Sequence, residues 1–222
     1  MKMIPKKLHQ IWIGEMPDYI RNDLETTKNL FDYYGWEYKL WTIDELIEFN
    51  YLSDFLVRYL IKNSKNINLT YTMLANIASY GILYKEGGFY VDTNVVFNKI
   101  IPSSLLKHSF VASYGDKYYV KDKNMLINNI FGSEKRNYIL CTLLNYINNI
   151  IVNNLSLLQK IKPWKITGLL PFTNVVETFA EFDKSILLLE SEYFCPFKNG
   201  EEINLNKLSK NNICYFNHNI KN

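Results

Sequence analysis

The sequence predicts an α/β fold in which helices flank a mixed, mostly parallel central sheet. Strand-like and helix-like segments alternate through the first half of the chain and mix in the second half, an order typical of such a sheet. Hydrophobic residues make up 48% of the chain and aromatic residues 15%, which is enough for a packed core. A length of 222 residues suits one large domain, so residues 1–222 are expected to form a single unit.

The first half of the chain carries clear start and stop signals for its elements. The segment KLHQIWIG alternates and ends in glycine, as a first strand often does. Pro17 and Gly35 bracket an apolar helical pattern, matching the preference for proline at helix starts and glycine after helix ends. Thr42 and Glu45 have the spacing of a capping box. In chain order, the predicted elements are strand 7–14, helix 16–35, strand 37–42, helices 43–49, 53–63 and 70–86, and strand 89–97.

In the second half of the chain, apolar runs indicate the strands and helices, and Pro171 is predicted to begin a helix. The predicted elements are strands 109–114 and 128–133, helices 135–151 and 171–182, and strands 185–191 and 213–218. Strands and helices mix in this half, which favours some antiparallel strands in the mostly parallel sheet.

Composition and charge argue against several classes of protein. A net charge of +3 is too small to indicate nucleic-acid binding. No apolar run approaches the roughly 20 residues that span a bilayer, and the first residues lack the apolar stretch of a secretory signal. The three cysteines have no metal-type spacing, which fits a reducing compartment. The expected location is therefore the cytoplasm.

The stretch YGILYKEGGFYVDTNVVF carries the most informative polar residues. Asp92 and Asn94 interrupt an apolar strand pattern, and a buried charge is costly unless it is paired or bound to a cation. Two residues apart on an extended strand, their side chains would point to the same side. Such oxygen donors suit Mg²⁺ or Mn²⁺, and both Gly14 and Asp92 are predicted at carboxyl ends of strands, where ligands of such sheets bind.

The pattern alone also allows plainer interpretations. Asp-Thr-Asn after a strand is more typical of a turn. Gly87 and Gly88 do not form a G-x-G-x-x-G motif, so a dinucleotide site has no support. Trp12 could equally be a core residue of the first strand, and His9 is expected to pack beneath the site.

Two segments in this order resemble a known enzyme family. IPKKLHQIWIG, followed later by YGILYKEGGFYVDTN, is similar to the DXD-containing glycosyltransferases of family 32. That family includes the yeast initiating mannosyltransferases and bacterial capsular and lipopolysaccharide sugar transferases. More distantly, the arrangement resembles the catalytic domain of large glucosylating toxins. The resemblance extends over most of the chain and is weakest at 51–69 and after Asn199.

The resemblance implies a GT-A fold, a nucleotide-sugar donor with a UDP-sugar favoured, and a divalent metal, Mn²⁺ or Mg²⁺, at the diphosphate. It implies transfer with retention to a glycan or lipid-linked oligosaccharide in surface polysaccharide biosynthesis, and it allows peripheral association with the inner face of the membrane. Asp92 and Asn94 take the DXD positions as catalytic residues, and these two with His218 are the implied metal ligands. The implied donor-binding residues are Ile11, Trp12, Gly14, Asn76, Ser79, Tyr80, Gly87, Gly88 and Asp92.

The chain departs from the family pattern at several positions. Asn94 replaces the second aspartate, so metal affinity should fall. Asn76 and Ser79 stand where the family usually has an aspartate and an arginine, and a serine cannot supply a cation to a diphosphate. His218 is followed by Asn219 rather than by Ser-Trp. Two alternatives therefore remain: a degenerate, non-catalytic member that binds nucleotide or glycan, and a shared fold with an unrelated phosphate-ester substrate.

Overall fold

A computed structural model describes residues 3–115, 124–197 and 203–217. It confirms the predicted α/β class. The strands are β1 (Lys7–Ile11), β2 (Glu37–Trp41), β3 (Gly88–Val91), β4 (Val95–Phe97), β5 (Phe110–Tyr114), β6 (Leu126–Ser133), β7 (Ile186–Leu189) and β8 (Cys214–Phe216). The helices are α1 (Asp18–Tyr33), α2 (Ile43–Glu48), α3 (Asp54–Lys62), α4 (Ile67–Glu86), α5 (Tyr138–Asn154), α6 (Leu157–Lys160), α7 (Pro163–Ile166), α8 (Leu169–Ala180) and α9 (Ser191–Phe194).

Six strands form one central sheet in the order β2-β1-β3-β6-β5-β7. The pairs β1–β2, β1–β3 and β5–β7 are parallel, whereas β6 is antiparallel to both of its neighbours. The remaining two strands, β4 and β8, pair antiparallel in a separate ribbon. The chain leaves β1 toward β2 on one side and returns as β3 on the other. This creates a topological switch point at the carboxyl end of β1, the place where ligands of such sheets bind.

Helices cover both faces of the sheet, as expected. One apolar cluster joins the sheet to α3, α4, α5 and α8, and its centre contains Tyr80, Phe110, Phe131 and Phe172, all fully buried. A second cluster on the other face includes Phe31 of α1. Among the described residues, no helix is long and apolar enough to cross a membrane.

Most sequence-predicted elements are present, with shifted ends. The Thr42–Glu45 capping box is confirmed. Helix α4 begins at Ile67 rather than at residue 70, because Asn66 caps it by accepting from the N–H groups of Asn68 and Leu69. Helix α8 begins at Leu169, two residues before the expected proline.

The prediction of one continuous strand over residues 89–97 is wrong. Strand β3 ends at Val91, and the N–H of Val95 donates to the carbonyl of Asp92 at 3.2 Å, closing a turn. The chain then leaves the central sheet, because β4 pairs with β8 instead. The turn reading of Asp-Thr-Asn is therefore the correct local structure.

Candidate functional site

A cavity of about 370 Å³ opens at the carboxyl ends of β1 and β3. Three segments enclose it: the loop from β1 to α1, the first half of α4, and the turn after β3. This position at the switch point confirms the expectation that Gly14 and Asp92 lie at neighbouring strand ends. The lining residues are Ile11, Trp12, Ile13, Gly14, Glu15, Pro17, Tyr19, Asn68, Tyr71, Thr72, Ala75, Asn76, Tyr90, Asp92, Thr93 and Asn94.

Asp92 is fixed by two donors, one from strand β3, which directly precedes it, and one from the adjacent strand β6. The hydroxyl of Tyr90 donates to its Oδ1 at 2.7 Å, and Nδ2 of Asn129 donates to its Oδ2 at 2.6 Å. Burial raises the pKa of the carboxyl to about 6, and these two hydrogen bonds act in the opposite direction. Each carboxylate oxygen accepts two partners when ionised, so both keep room for a further ligand.

Asn94 supplies a second oxygen to the same cavity. Its Oδ1 is buried and has no hydrogen-bond partner, which is unusual for a buried amide. The Asn94 backbone carbonyl accepts from the N–H of Asn217 at 2.8 Å, so the strand pair β4–β8 holds the turn in place. The predicted pair therefore shares one cavity, although a turn and not an extended strand brings it there.

These donors fit a hard divalent cation. A carboxylate and an unpartnered amide oxygen are ligand types that Mg²⁺ and Mn²⁺ accept. No group of three or more His, Cys, Asp or Glu side chains that could hold a metal occurs within 3–115, 124–197 and 203–217, so these ranges offer Asp92 and Asn94 as a partial set of oxygen ligands. The predicted third ligand, His218, lies outside the described residues.

The loop after β1 shapes the other wall of the cavity. Trp12 is half-buried, and its position is fixed because its N–H bonds the carbonyl of Trp41 at 3.0 Å and its Nε1 bonds the carbonyl of Glu15 at 3.1 Å. Gly14 has φ +101°, and a Cβ there would lie 2.9 Å from the ring of Tyr71. Ile11, by contrast, is buried and contributes to the wall mainly as core.

Asn76 projects from α4 and is held by a polar network. Its Oδ1 accepts from Asn128 Nδ2 at 2.9 Å, and its Nδ2 donates to Thr167 Oγ1 at 3.3 Å. The hydroxyl of Tyr80 donates to the carbonyl of Thr167 at 2.8 Å. The amide keeps one donor and one acceptor position for a ligand. Tyr80 thus supports the site from the core and does not line it.

Three other predicted donor-binding residues are not at the cavity. Ser79 is fully buried and donates to the carbonyl of Asn76 at 2.9 Å, within its own helix. Gly87 precedes β3 and Gly88 begins it, whereas Asp92 follows it, so about 13–16 Å of strand separates the glycines from Asp92. Both glycines have positive φ, and a Cβ on Gly88 would lie 2.6 Å from the carbonyl oxygen of Lys7. Their role is the reversal from α4 into the sheet.

The charge of the cavity is negative. Glu15 and Asp92 are the charged residues that line it, and within the described part of the chain no lysine or arginine joins them. A diphosphate would therefore meet two carboxylates and no basic side chain in these segments.

Sequence reasoning did not identify several residues that build the site. Asn128 and Asn129 lie on β6, whose pairing with β3 sets Ile130 opposite Val91 and so brings Asn129 to Asp92. The adjacent asparagines in the apolar run LINNIFGS were the available signal. On α4, Asn68 and Thr72 also line the cavity, and their spacing of four marks one helix face.

Comparison with known proteins agrees with this geometry. Residues 6–112 match the family model described as "Glycosyltransferase sugar-binding region containing DXD motif", and every residue lining the cavity falls inside that segment. The inositol phosphoceramide mannosyltransferase 1 of Schizosaccharomyces pombe is 30% identical over 116 residues, which cover 50% of this chain and 34% of the relative. The match thus spans about a third of that relative's length.

Solved structures share the fold. The PaToxG glycosyltransferase superposes with a TM-score of 0.51 at 17% identity, covering 81% of this chain and 71% of that one. The ligand-free glycosyltransferase domain of the YGT toxin also reaches a TM-score of 0.51, at 10% identity, covering 85% and 80%. These likenesses establish a GT-A fold. Residues 6–112 accordingly resemble the sugar-binding region of DXD-containing glycosyltransferases, in a chain with a GT-A fold.

Proposed function

We propose that this protein is a metal-dependent, retaining glycosyltransferase. It takes a sugar from a nucleotide-sugar donor, with a UDP-sugar favoured, and transfers it to a glycan or lipid-linked oligosaccharide in surface polysaccharide biosynthesis. The proposed place of action is the cytoplasm. The named relatives support the transferase class, and the cavity supports the cofactor and donor assignments.

One observation carries the proposal: Asp92 and Asn94, whose buried amide oxygen has no hydrogen-bond partner, line the same negative cavity at the switch point. A nucleoside diphosphate brings further negative charge, so it would be repelled unless a cation joined it. Bound there with the diphosphate, Mn²⁺ or Mg²⁺ would neutralise the charge that develops on the leaving group. Asp92 and Asn94 would hold that cation from the protein side.

Other residues of the cavity would bind and orient the donor. Trp12 offers a flat, fixed aromatic face for the nucleotide base. Asn76 keeps a free donor and acceptor position for a sugar hydroxyl. His218 lies outside the described residues, and its role as a further metal ligand remains a prediction.

Retention is proposed to arise by attack of the acceptor hydroxyl on the face that the diphosphate leaves. The two carboxylates of the cavity argue for this route over a covalent intermediate. Asp92 is already engaged by Tyr90 and Asn129, while Glu15 is exposed on the loop after β1. Neither is arranged as a free nucleophile.

Thermal melts with UDP and with GDP, each with and without Mn²⁺, test the proposal. A ligand at about 100 times its Kd stabilises the fold by about 2.7 kcal/mol, which raises Tm by roughly 5–10 °C for a chain of this size. We expect such a rise with one nucleotide and only with metal. Asp92→Asn should abolish it, whereas Asp44→Asn, at an exposed position in α2, should not. Stabilisation by nucleotide without metal, or an unchanged response in Asp92→Asn, would refute the assignment.

Asn94→Asp sharpens the same test. A second carboxylate adds charge to the ligand set, so Mn²⁺ affinity should rise about tenfold or more. Asn94→Ala should lower it, because the amide oxygen is lost. Titration of Mn²⁺ at fixed nucleotide measures both changes. Equal Mn²⁺ affinity in the parent, Asn94→Asp and Asn94→Ala would show that Asn94 does not bind the cation.

A non-catalytic binding protein of the same fold is the second candidate. The lack of a basic side chain among the described lining residues and the position of Ser79 in the core favour it. Under this alternative the thermal melts show nucleotide binding, and an assay of nucleotide-sugar hydrolysis shows no turnover. Hydrolysis of any nucleotide sugar that EDTA abolishes would exclude it, and no stabilisation by either nucleotide would instead favour an unrelated phosphate-ester ligand.

A further inference from the structure

The basic residues of this protein are segregated. Residues 55–85 and 135–176 contain no aspartate or glutamate. Together they carry nine basic residues, whereas the whole chain has a net charge of +3, so the remainder carries −6. The nine are Arg58, Lys62, Lys65, Lys85, Lys135, Arg136, Lys160, Lys162 and Lys165. Such asymmetry in a nearly neutral chain indicates a surface for an anionic partner.

The fold brings part of this charge to one place. A cleft of about 210 Å³ lies between the α3–α4 junction and the segment from α6 to α7, and Lys65, Lys160 and Lys162 line it. These three and Lys165 are exposed. None of the four forms an ion pair with a residue in the described ranges. We call these four lysines the basic face.

Exposed apolar side chains lie at or beside the cleft: Leu69 lines it, and Ile67 and Trp164 directly follow lining residues in the chain. Leu69 is 46% exposed, Ile67 39% and Trp164 38%. Lys165 Nζ lies 5.1 Å from the ring centroid of Trp164, so a cation and an indole are presented side by side. Lysine with tryptophan and aliphatic residues is the composition that inserts shallowly into a lipid headgroup layer.

We propose that the basic face docks this protein on the surface of an anionic phospholipid bilayer. Lysines would contact headgroup phosphates while Ile67, Leu69 and Trp164 enter the interface. Exposed aliphatic residues favour lipid over nucleic acid, whose single strands are bound on aromatic platforms.

Helix α4 contributes residues both to the donor cavity and to the cleft that the lysines line. Asn68 and Thr72 of α4 line the donor cavity, whereas Leu69 and Met73 line the cleft with the lysines. The two sites therefore use different faces of one helix. Docking by the basic face would leave the donor cavity open beside the membrane, where a lipid-linked acceptor would be within reach.

Co-sedimentation with vesicles tests this inference independently of donor binding. The full chain is mixed with vesicles of phosphatidylcholine alone or of phosphatidylcholine with phosphatidylglycerol. A lysine near an anionic surface contributes about a fivefold factor in partitioning, so the triple variant Lys65→Gln/Lys160→Gln/Lys162→Gln should bind the anionic vesicles about 100-fold less. Trp164→Ala should bind more weakly to the same vesicles.

The matched control removes the same charge elsewhere. Lys6→Gln/Lys107→Gln/Lys184→Gln changes three exposed lysines near the amino ends of β1, β5 and β7 and should keep parental binding. A thermal melt of each variant checks folding. Equal losses in both triple variants would mean that only net charge matters, and binding to an oligonucleotide but not to vesicles would favour a nucleic acid. Either result, or no binding of the parent to anionic vesicles, overturns the inference, whereas failure of the donor assignment alone leaves vesicle binding unchanged.

Discussion

His9 makes the stability of this protein depend on pH in a way that can be calculated. The side chain is 1% exposed on β1. Its Nδ1 accepts from Trp41 Nε1 at 3.2 Å, so Nε2 carries the proton and donates to the carbonyl of Gly87 at 3.0 Å. Both ring nitrogens of the neutral imidazole are therefore satisfied. Burial lowers the pKa from 6.5 to about 4, because the charged form would lose its hydration.

The sign of the effect follows from the two pKa values. Between pH 6.5 and 4 the unfolded chain binds a proton at His9 that the folded chain excludes, so acid favours unfolding. The stabilisation is complete above pH 6.5 and is lost as pH falls. The two values give a loss of about 2 kcal/mol at pH 5 and about 3 kcal/mol at pH 4, a large part of the typical 5–15 kcal/mol of total stability.

Urea unfolding of the parent and of His9→Gln at pH 7, 6 and 5 measures this loss. Other groups also titrate, so the relevant quantity is the difference between the two proteins at each pH. That difference should shrink by about 2 kcal/mol from pH 7 to pH 5, whatever its value at pH 7. His108→Gln, at a half-buried position elsewhere in the chain, serves as the control for the loss of a histidine. A difference that stays constant across this range would show that His9 is not held neutral by burial.

Two further predictions concern glycines. Gly132→Ala should lower the free energy of unfolding by about 1–3 kcal/mol, because its Cβ would lie 2.5–2.7 Å from the ring of Phe89; Gly81→Ala, whose nearest neighbour would be 3.4 Å away, is the control in the same urea titration. Gly14→Ala should weaken nucleotide binding about tenfold, because φ +101° is strained for alanine and the Cβ would lie 2.9 Å from the ring of Tyr71. Unchanged affinity in calorimetry with Mn²⁺ present would show that this loop does not contact the ligand.

Local sequence patterns predicted the fold class, a helix cap and the position of Asp92. Alternation of strand and helix signals gave the α/β class, since periodicity and turn residues act within a few positions of one another. The capping box at Thr42 and Glu45 was readable for the same reason. The position of Asp92 at a strand end, close to the loop after β1, also followed from the sequence, because parallel strands end at one edge of a sheet.

Pairing between strands that are far apart in the sequence determined which residues line the candidate site. The register of β3 against β6 brings Asn129 to Asp92, and the pairing of β4 with β8 turns the chain after Val91. The same packing withdraws Ser79 into the core. A one-residue change in register would reverse which side chains face the cavity, and no local pattern encodes that choice.

The sequence therefore determined the class of fold and the edge of the sheet where the candidate site lies, because both depend on short-range periodicity. Only the tertiary structure decided that a turn brings Asp92 and Asn94 to the lining of one cavity, that Gly87 and Gly88 lie at the other end of β3, and that lysines from distant segments line one cleft. Each of these depends on contacts between residues far apart in the chain, where packing and register select among arrangements that local propensities leave equally open.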